Sequence, residues 1–218
     1  MPRRQLVVLA RWPAAGRCKR RLAASCGSAA LAAAMQRQLS WHTLQTAAAA
    51  AETCGAELVL AASGLGPRAL RRWGQQLNPQ NRALSLRLQG GGTLGSRMQR
   101  QLRQGLHQGC DQVVLIGSDL PQLESRDLEQ AFQSLAQQPL VLGPAEDGGY
   151  WLIGLTRQGL QQSGAALMSG IPWGSDQVLS RTLAHAAARG LTAALLRSQA
   201  DLDSRSALEP WLLNQRDR

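Results

Sequence analysis

Val113-Val114-Leu115-Ile116-Gly117-Ser118-Asp119-Leu120-Pro121 and Leu140-Val141-Leu142-Gly143-Pro144-Ala145-Glu146-Asp147-Gly148-Gly149-Tyr150 share one pattern. In each, an apolar run suited to a buried strand stops at a glycine or Gly-Pro break, and an aspartate follows. Open α/β sheets bind their ligands in the crevice at the carboxyl ends of strands. Acidic residues number only 14 in 218, so two of them at strand ends call for a chemical explanation.

Outward from this stretch, strand-like and helix-like segments alternate. Strands are expected at Leu6–Ala10, Glu57–Ala62, Leu84–Leu88, Gln112–Ile116, Leu140–Leu142, Tyr150–Leu155 and Leu191–Leu196. Helices are expected from Ser28 to Glu52, Pro67 to Leu77, Ser125 to Ala136 and Asp176 to Ala188. Leu94, Met98, Leu102 and Leu106 recur every four residues, which adds an amphipathic helix. Ser175 is a candidate cap for the helix from Asp176, and Ser204 for a last helix running towards Trp211. Alternation of this kind predicts a mostly parallel sheet covered by helices on both faces, a three-layer α/β/α architecture. Two strands lie close together around Gly148-Gly149, so the sheet is expected to be mixed. No linker or repeat divides residues 1–218, and one domain is expected.

The chain carries 24 basic residues, a formal charge of +10 and an isoelectric point near 11.2. Such a balance suits anionic partners: nucleotides, phosphorylated small molecules or nucleic acid. Of the basic residues only Lys19 is a lysine. It follows the first strand, and an ammonium is a compact point charge that can sit against phosphate oxygens. The four cysteines form no C-x-x-C pair, and the three histidines are scattered, so no zinc site is expected. Arg11 closes the first apolar run before it reaches the length of a signal-peptide core. No run approaches the ~20 residues of a membrane helix. A cytoplasmic protein without a membrane partner is expected.

Three segments carry candidate chemistry. The loop from Arg11 to Leu22 contains Pro13, Gly16, Lys19 and Arg21 between a strand and a helix start, where glycine and backbone N–H groups can approach an anion. It matches neither common nucleotide motif. Gly117-Ser118-Asp119-Leu120-Pro121 places a carboxylate at a strand end, fit for Mg²⁺, which takes one or two carboxylates with substrate phosphates. Helix capping is the alternative for Asp119. Asp147-Gly148-Gly149-Tyr150 holds the chain's one tyrosine, and its glycines suit a hairpin turn or a close backbone approach to a ligand. Asp203 could be a second metal ligand or a cap.

Together these segments resemble a bacterial family of glycosyltransferase-like proteins with the GT-A, nucleotide-diphospho-sugar transferase fold. Its members are often described as glycosyltransferases associated with arsenosugar biosynthesis. The family is also similar to guanylyltransferases acting on 2-phospholactate and on molybdenum cofactor. The resemblance spans about residues 5 to 210. It rests on Pro13, Gly16, Lys19, Arg21 and Leu22; on Leu94-Gly95-Ser96-Arg97-Met98; on Ile116 to Pro121; on Gly143 to Tyr150; on Ile171-Pro172-Trp173; and on Asp201-Leu202-Asp203-Ser204. Ser96 stands where the family has an acid, Gly174-Ser175 where it has Ser-Thr, and Ser204 where it has Thr.

The resemblance implies a nucleotide held by Ala10, Pro13, Gly16, Lys19, Arg21, Arg97 and Ser118. It implies Mg²⁺ or Mn²⁺ on Asp119 and Asp203, and a small-molecule acceptor beside Gly148, Gly149, Tyr150 and Trp173. Lys19, Asp119, Asp147 and Asp176 are then the catalytic candidates. The chemistry would need charge neutralisation and positioning more than covalent catalysis. Glycosyl transfer from a nucleotide-sugar is the leading expectation, with Asp147 or Asp176 as the base. Asp176 could equally be a first-turn acid favoured by the helix dipole. Nucleotidyl transfer from a nucleoside triphosphate to a phosphorylated acceptor is the second; there the nucleophile is already an anion and needs no base. A non-catalytic nucleotide- or nucleic-acid-binding protein is the third. One Phe and one Tyr leave a base-stacking platform to rest on six scattered tryptophans, so nucleic acid is the weaker partner.

Overall fold

The computed structural model describes residues 2–164 and 166–202. Within them, β1 (Arg4–Arg11), β2 (Ala56–Ser63), β3 (Ser85–Leu88), β4 (Gln112–Ile116), β5 (Leu140–Pro144), β6 (Tyr150–Thr156) and β7 (Ala193–Leu195) form one sheet. The helices are α1 (Arg20–Cys26), α2 (Ala29–Cys54), α3 (Pro67–Leu77), α4 (Leu94–His107), α5 (Ser125–Ser134), α6 (Arg157–Ser163) and α7 (Val178–Ala187). Strand order is β3-β2-β1-β4-β6-β5-β7. Only β6 runs against its neighbours, β4 and β5; every other pairing is parallel. The mixed, mostly parallel sheet is therefore as the chain pattern predicts.

The layers follow from side-chain alternation along the strands. Leu6, Val8 and Ala10 of β1 join one core cluster with Leu44 and Ala47 of α2, Trp73 of α3 and Phe132 of α5. Val7 joins the opposite cluster with Met98 and Leu102 of α4, Leu160 of α6 and Ala186 of α7. Both sheet faces are thus covered, as a parallel sheet requires. Helix α2 is alanine-rich where it meets the sheet, and alanine is both the strongest helix former and short enough for close packing. Ser28 Oγ accepts a hydrogen bond from the Leu31 amide at its start, and Gly55, at φ +61°, ends it.

Several boundaries differ from expectation. The helix expected from Asp176 begins at Val178, because Ser175 Oγ accepts the Gln177 amide and makes a turn ahead of the helix. The last strand is shorter, Ala193–Leu195 rather than Leu191–Leu196. Helix α6 went unread: with Gly159 inside it, Arg157–Ser163 lacks a clear apolar stripe, and its start is set by Thr156 Oγ1 accepting the Gly159 amide. Ser204 and the helix expected towards Trp211 lie outside the described residues.

Candidate functional site

β1, β2, β3 and β4 are mutually parallel, so their carboxyl ends share one edge of the sheet. Antiparallel β6 brings its amino end, Tyr150, to the same edge. A cleft of about 520 Å³ opens there. Ala10, Arg11, Arg17, Lys19, Arg20 and Arg21 line it from β1 and the loop beyond; Ser63 and Gln89 from the ends of β2 and β3; Arg97 from α4; Ser118 and Asp119 from the turn after β4. Tyr150 and Asp201 close it. Six cations and two carboxylates therefore line the cleft.

Lys19 precedes α1 with left-handed backbone, φ 42° and ψ 52°, a conformation that costs a non-glycine residue about 1 kcal/mol or more. Its side chain is only 1% exposed. The ammonium donates to the Leu202 carbonyl at 2.7 Å and stands 3.3 Å from Asp119 Oδ2. Leu202 also donates its amide to the Asp119 carbonyl at 3.2 Å. One buried leucine, packed with Leu22, Met35 and Leu39, thereby ties the β1 loop to the β4 turn.

Asp119 caps no helix. Helix α5 is capped by Glu124 and Asp127 in a reciprocal box. Oδ1 of Asp119 is buried without a hydrogen-bond partner. A buried carboxylate oxygen with nothing to accept from is costly unless a cation or donor meets it. Asp201 brings a second carboxylate to the cleft. Among the described residues no group of three His, Cys, Asp or Glu side chains could hold a metal by itself. Two carboxylates without a protein cage suit a cation whose remaining ligands come from phosphates and water. Asp203 lies outside the described residues.

The turn that bears Asp119 is braced from α2. Gln36, buried, donates from Nε2 to Ser118 Oγ at 3.1 Å and to Ser40 Oγ at 3.2 Å. On the other side of β1, Gln89 is also buried. Its Nε2 donates to the carbonyls of Ala10 at 3.1 Å and Ala61 at 2.9 Å. Neither glutamine was singled out from the sequence, and Asp201 entered there only within the Asp201-Leu202-Asp203-Ser204 element of the resemblance, without a role. Gln89 directly follows β3 and precedes Gly90-Gly91-Gly92, a strand-end break of the kind that drew attention to Asp119, and could have been found by it. Nothing local distinguishes Gln36 within its helix.

Ala10, Lys19, Arg21, Arg97, Ser118, Asp119 and Tyr150 thus come together in the cleft. Pro13 and Gly16 shape the β1 loop, with Gly16 at φ +74°, without lining it. Asp147, Gly148, Gly149, Trp173 and Asp176 are also off the lining. Asp147 is exposed, and its Oδ1 accepts the Gly149 amide at 3.0 Å. Asp176 is exposed as well. The double glycine serves a close backbone approach: a Cβ on Gly148 would fall 2.2 Å from the Asp176 carbonyl oxygen. Trp173 packs edge-on to Tyr150, ring centroids 6.3 Å apart, and its indole occupies the space a Cβ on Gly95 would need. Ser96, in the acid's place, has its hydroxyl 3.0 Å from that of Thr93, the cap of α4. Burial pushes the Tyr150 phenol well above its ordinary range, with a smaller opposing effect from Thr182. Burial likewise raises the Cys18 thiol, against the pull of Arg11 and Lys19.

Residues 43–175 match the family described as "Uncharacterized protein conserved in bacteria (DUF2064)". No curated protein sequence matches the chain significantly. Among solved structures, a protein from Desulfovibrio desulfuricans G20 provisionally named a nucleotide-diphospho-sugar transferase is 25% identical, with a TM-score of 0.79 over 94% of this chain and 84% of its own. CMP:2-keto-3-deoxy-manno-octonic acid synthetase complexed with CTP is 14% identical, with a TM-score of 0.56 over 99% of this chain and all of its own. Mannosyltransferase PcManGT from Pyrobaculum calidifontis, in complex with GDP-Man and Mn²⁺, is 17% identical, with a TM-score of 0.58 over 98% of this chain and 61% of its own. The fold is that of the nucleotide-diphospho-sugar transferases, of GT-A type. Among the described residues no helix is long and apolar enough to cross a membrane.

Proposed function

We propose, from the premise that this chain belongs to the DUF2064 family of proteins conserved in bacteria, that it is a nucleotide-dependent transferase and that it moves a nucleotidyl group from a nucleoside triphosphate to a phosphorylated small molecule. The observation that carries the reading is the composition of the cleft. Arg11, Arg17, Lys19, Arg20, Arg21 and Arg97 line it, while the two aspartates considered as general bases, Asp147 and Asp176, do not. A triphosphate and an anionic acceptor need that many cations, and an anionic nucleophile needs no base.

In this reading the arginines hold the phosphate chain and Lys19 neutralises charge as pyrophosphate departs. Preorganised charges of this kind cost no reorganisation when the reaction occurs. The braced Ser118-Asp119 turn fixes a carboxylate at the strand end. Mg²⁺ or Mn²⁺, held by Asp119 with Asp201 or Asp203, would supply Lewis-acid neutralisation of phosphate oxygens. The acceptor would lie towards Tyr150, backed by Trp173. Support comes from the shared fold, which carries CTP in the octonic acid synthetase.

Glycosyl transfer is the second reading, favoured by the fold's GDP-Man and Mn²⁺ complex in PcManGT. The test is incubation with each nucleoside triphosphate, Mg²⁺ or Mn²⁺ and a panel of sugar phosphates and phosphorylated carboxylic acids. Pyrophosphate release that depends on the acceptor is expected. Turnover of nucleotide-sugars without pyrophosphate, lost in Asp147→Asn or Asp176→Asn, would establish the second reading instead.

A further inference from the structure

We infer that the Arg197–Asp127 ion pair, which lies off the cleft lining, fixes the spacing of the two carboxylates the cleft presents, Asp119 and Asp201, and that Arg197 and Asp127 are positioning residues for the divalent cation. The inference rests on the metal assignment above and adds to it the device that holds the two carboxylates in place.

The carboxylates arrive on separate segments. Asp119 stands in the turn that leads from β4 to α5, and Asp201 in residues 196–202, which lead from β7 back to the cleft. The second segment has little regular structure. The Leu196 and Gln199 amides donate to the Leu142 and Pro144 carbonyls of β5, at 2.9 and 3.1 Å, and one bridge pairs Gln199 with Ala145. The position of Asp201 then depends on what the side chains of its segment grip.

Arg197 grips the other segment. Its Nε and Nη2 donate to Oδ1 and Oδ2 of Asp127, at 2.5 and 2.7 Å, a bidentate pair. Nη2 also donates to the carbonyl of Gln122 at 2.9 Å, in the turn that bears Asp119. Gln199 donates from Nε2 to Asp127 Oδ2 at 3.2 Å. Asp127 is 3% exposed and belongs to the first turn of α5, where the Asp119 turn ends. A second link lies at the cleft, where the Leu202 amide donates to the Asp119 carbonyl and Lys19 contacts both residues. One link would act as a hinge. Two, at different points along both segments, fix how the segments lie against each other.

Stability does not account for the arrangement. Capping α5 uses one of the four hydrogen bonds that Asp127 accepts, and an uncharged asparagine would serve it. A buried ion pair is often no more stabilising than apolar side chains of the same volume. Gln199 is 1% exposed and leaves its Oε1 buried without a partner, a cost that a methionine would avoid. What the cluster supplies is direction, because a planar guanidinium fork sets both distance and angle. Asp119 has use for it. Its Oδ2 faces Lys19, so Oδ1 is what it can offer a cation, and small hard cations take oxygens only at short, defined distances.

The experiment titrates the full chain with Mn²⁺ alone and follows the electron paramagnetic resonance signal of the free aqueous ion, so that no turnover is needed. Arg197→Met keeps the aliphatic stem and removes the fork. It is expected to weaken Mn²⁺ binding by roughly tenfold, the lower end of what a supporting partner of a metal ligand contributes. Asp127→Asn, which retains the cap, should do the same, and the double variant should bind no more weakly than the worse single one, since the pair acts as a unit. Arg197→Lys should not restore binding, because an ammonium lacks the fork. Gln199→Met should weaken binding by about threefold without lowering the melting temperature, which a merely structural role would not produce. It also decides the matter should the Arg197 and Asp127 variants not fold. Arg157→Met, which breaks the ion pair with Asp111 at the opposite end of β4, should leave binding unchanged. Mn²⁺ binding unaltered in folded Arg197→Met, or unaltered in Gln199→Met where that variant decides, overturns the inference while leaving the metal at Asp119. So does a loss in Arg157→Met as large as that in Arg197→Met. No Mn²⁺ bound by the unaltered chain would remove the metal assignment itself, and the inference with it.

Discussion

The ammonium of Lys19 stands 3.3 Å from Asp119 Oδ2, joining the loop after β1 to the turn after β4 across the floor of the cleft. The pair places a cation and a carboxylate side by side. Both are held by Leu202, through its carbonyl and its amide respectively.

Replacing Lys19 separates charge from fit. Lys19→Met should weaken nucleotide binding by about tenfold or more, equivalent to roughly 1.4 kcal/mol, measured by calorimetry. Lys19→Arg should not restore it, because the enclosed site, 1% exposed, was shaped for an ammonium and a guanidinium is broader. Recovery of affinity in Lys19→Arg would show that charge alone matters.

Asp119→Asn keeps the side chain's shape and removes its charge. Metal-dependent turnover should fall by about a hundredfold or more. The far-ultraviolet circular dichroism should be unchanged. Equal turnover in the variant at saturating Mn²⁺ would refute the assignment of the metal to this carboxylate.

Gly148→Ala tests the docking of the β5–β6 turn on the segment before α7. The new methyl would fall 2.2 Å from the Asp176 carbonyl oxygen, at a position whose φ of +85° already excludes most side chains. A loss of at least about 2 kcal/mol in denaturant unfolding is expected. Gly66→Ala, where no atom lies within 4 Å of the added methyl, should stay within about 0.5 kcal/mol.

Tyr150 supplies a pH signature, because it is the only tyrosine. Burial raises its folded pKa above the unfolded value of about 10. The folded state therefore retains a proton that the unfolded state releases. The contribution is fully present below about pH 10 and declines as pH rises beyond it. Absorbance at a wavelength specific for tyrosinate should stay flat through pH 10 and rise only as the protein unfolds. A reversible rise centred near pH 10 in folded protein would show an exposed phenol. Its hydroxyl faces Thr182, which spends its own proton on the Val178 carbonyl at 2.8 Å.

Much of the sheet was legible because its signals are local. Gln112–Ile116 is apolar throughout and buried throughout, and the strand appears at the bounds expected of it. Of the four-residue recurrence, Met98, Leu102 and Leu106 form the buried face of α4, while Leu94 is exposed. Helix α6 was lost because its start depends on Thr156 capping an otherwise unremarkable segment. Within the site, Lys19 and Asp119 were found as a lone lysine and a strand-end acid. Gln36 was not, since its function is to reach Ser118, 82 positions away, and no neighbour in sequence records that contact.

Alternating apolar runs, glycine breaks and capping residues were sufficient to determine a mixed α/β sheet, because strand, helix and turn preferences act over a few contiguous residues. Which strand ends meet was decided only in three dimensions. β1 lies between β2 and β4, and that order alone brings Gln89 to one side of Lys19 and Asp119 to the other. It also leaves Asp147 and Asp176 off the cleft lining. Strand order and register arise from burial and hydrogen bonding summed over the whole sheet, and no short stretch of sequence contains that sum.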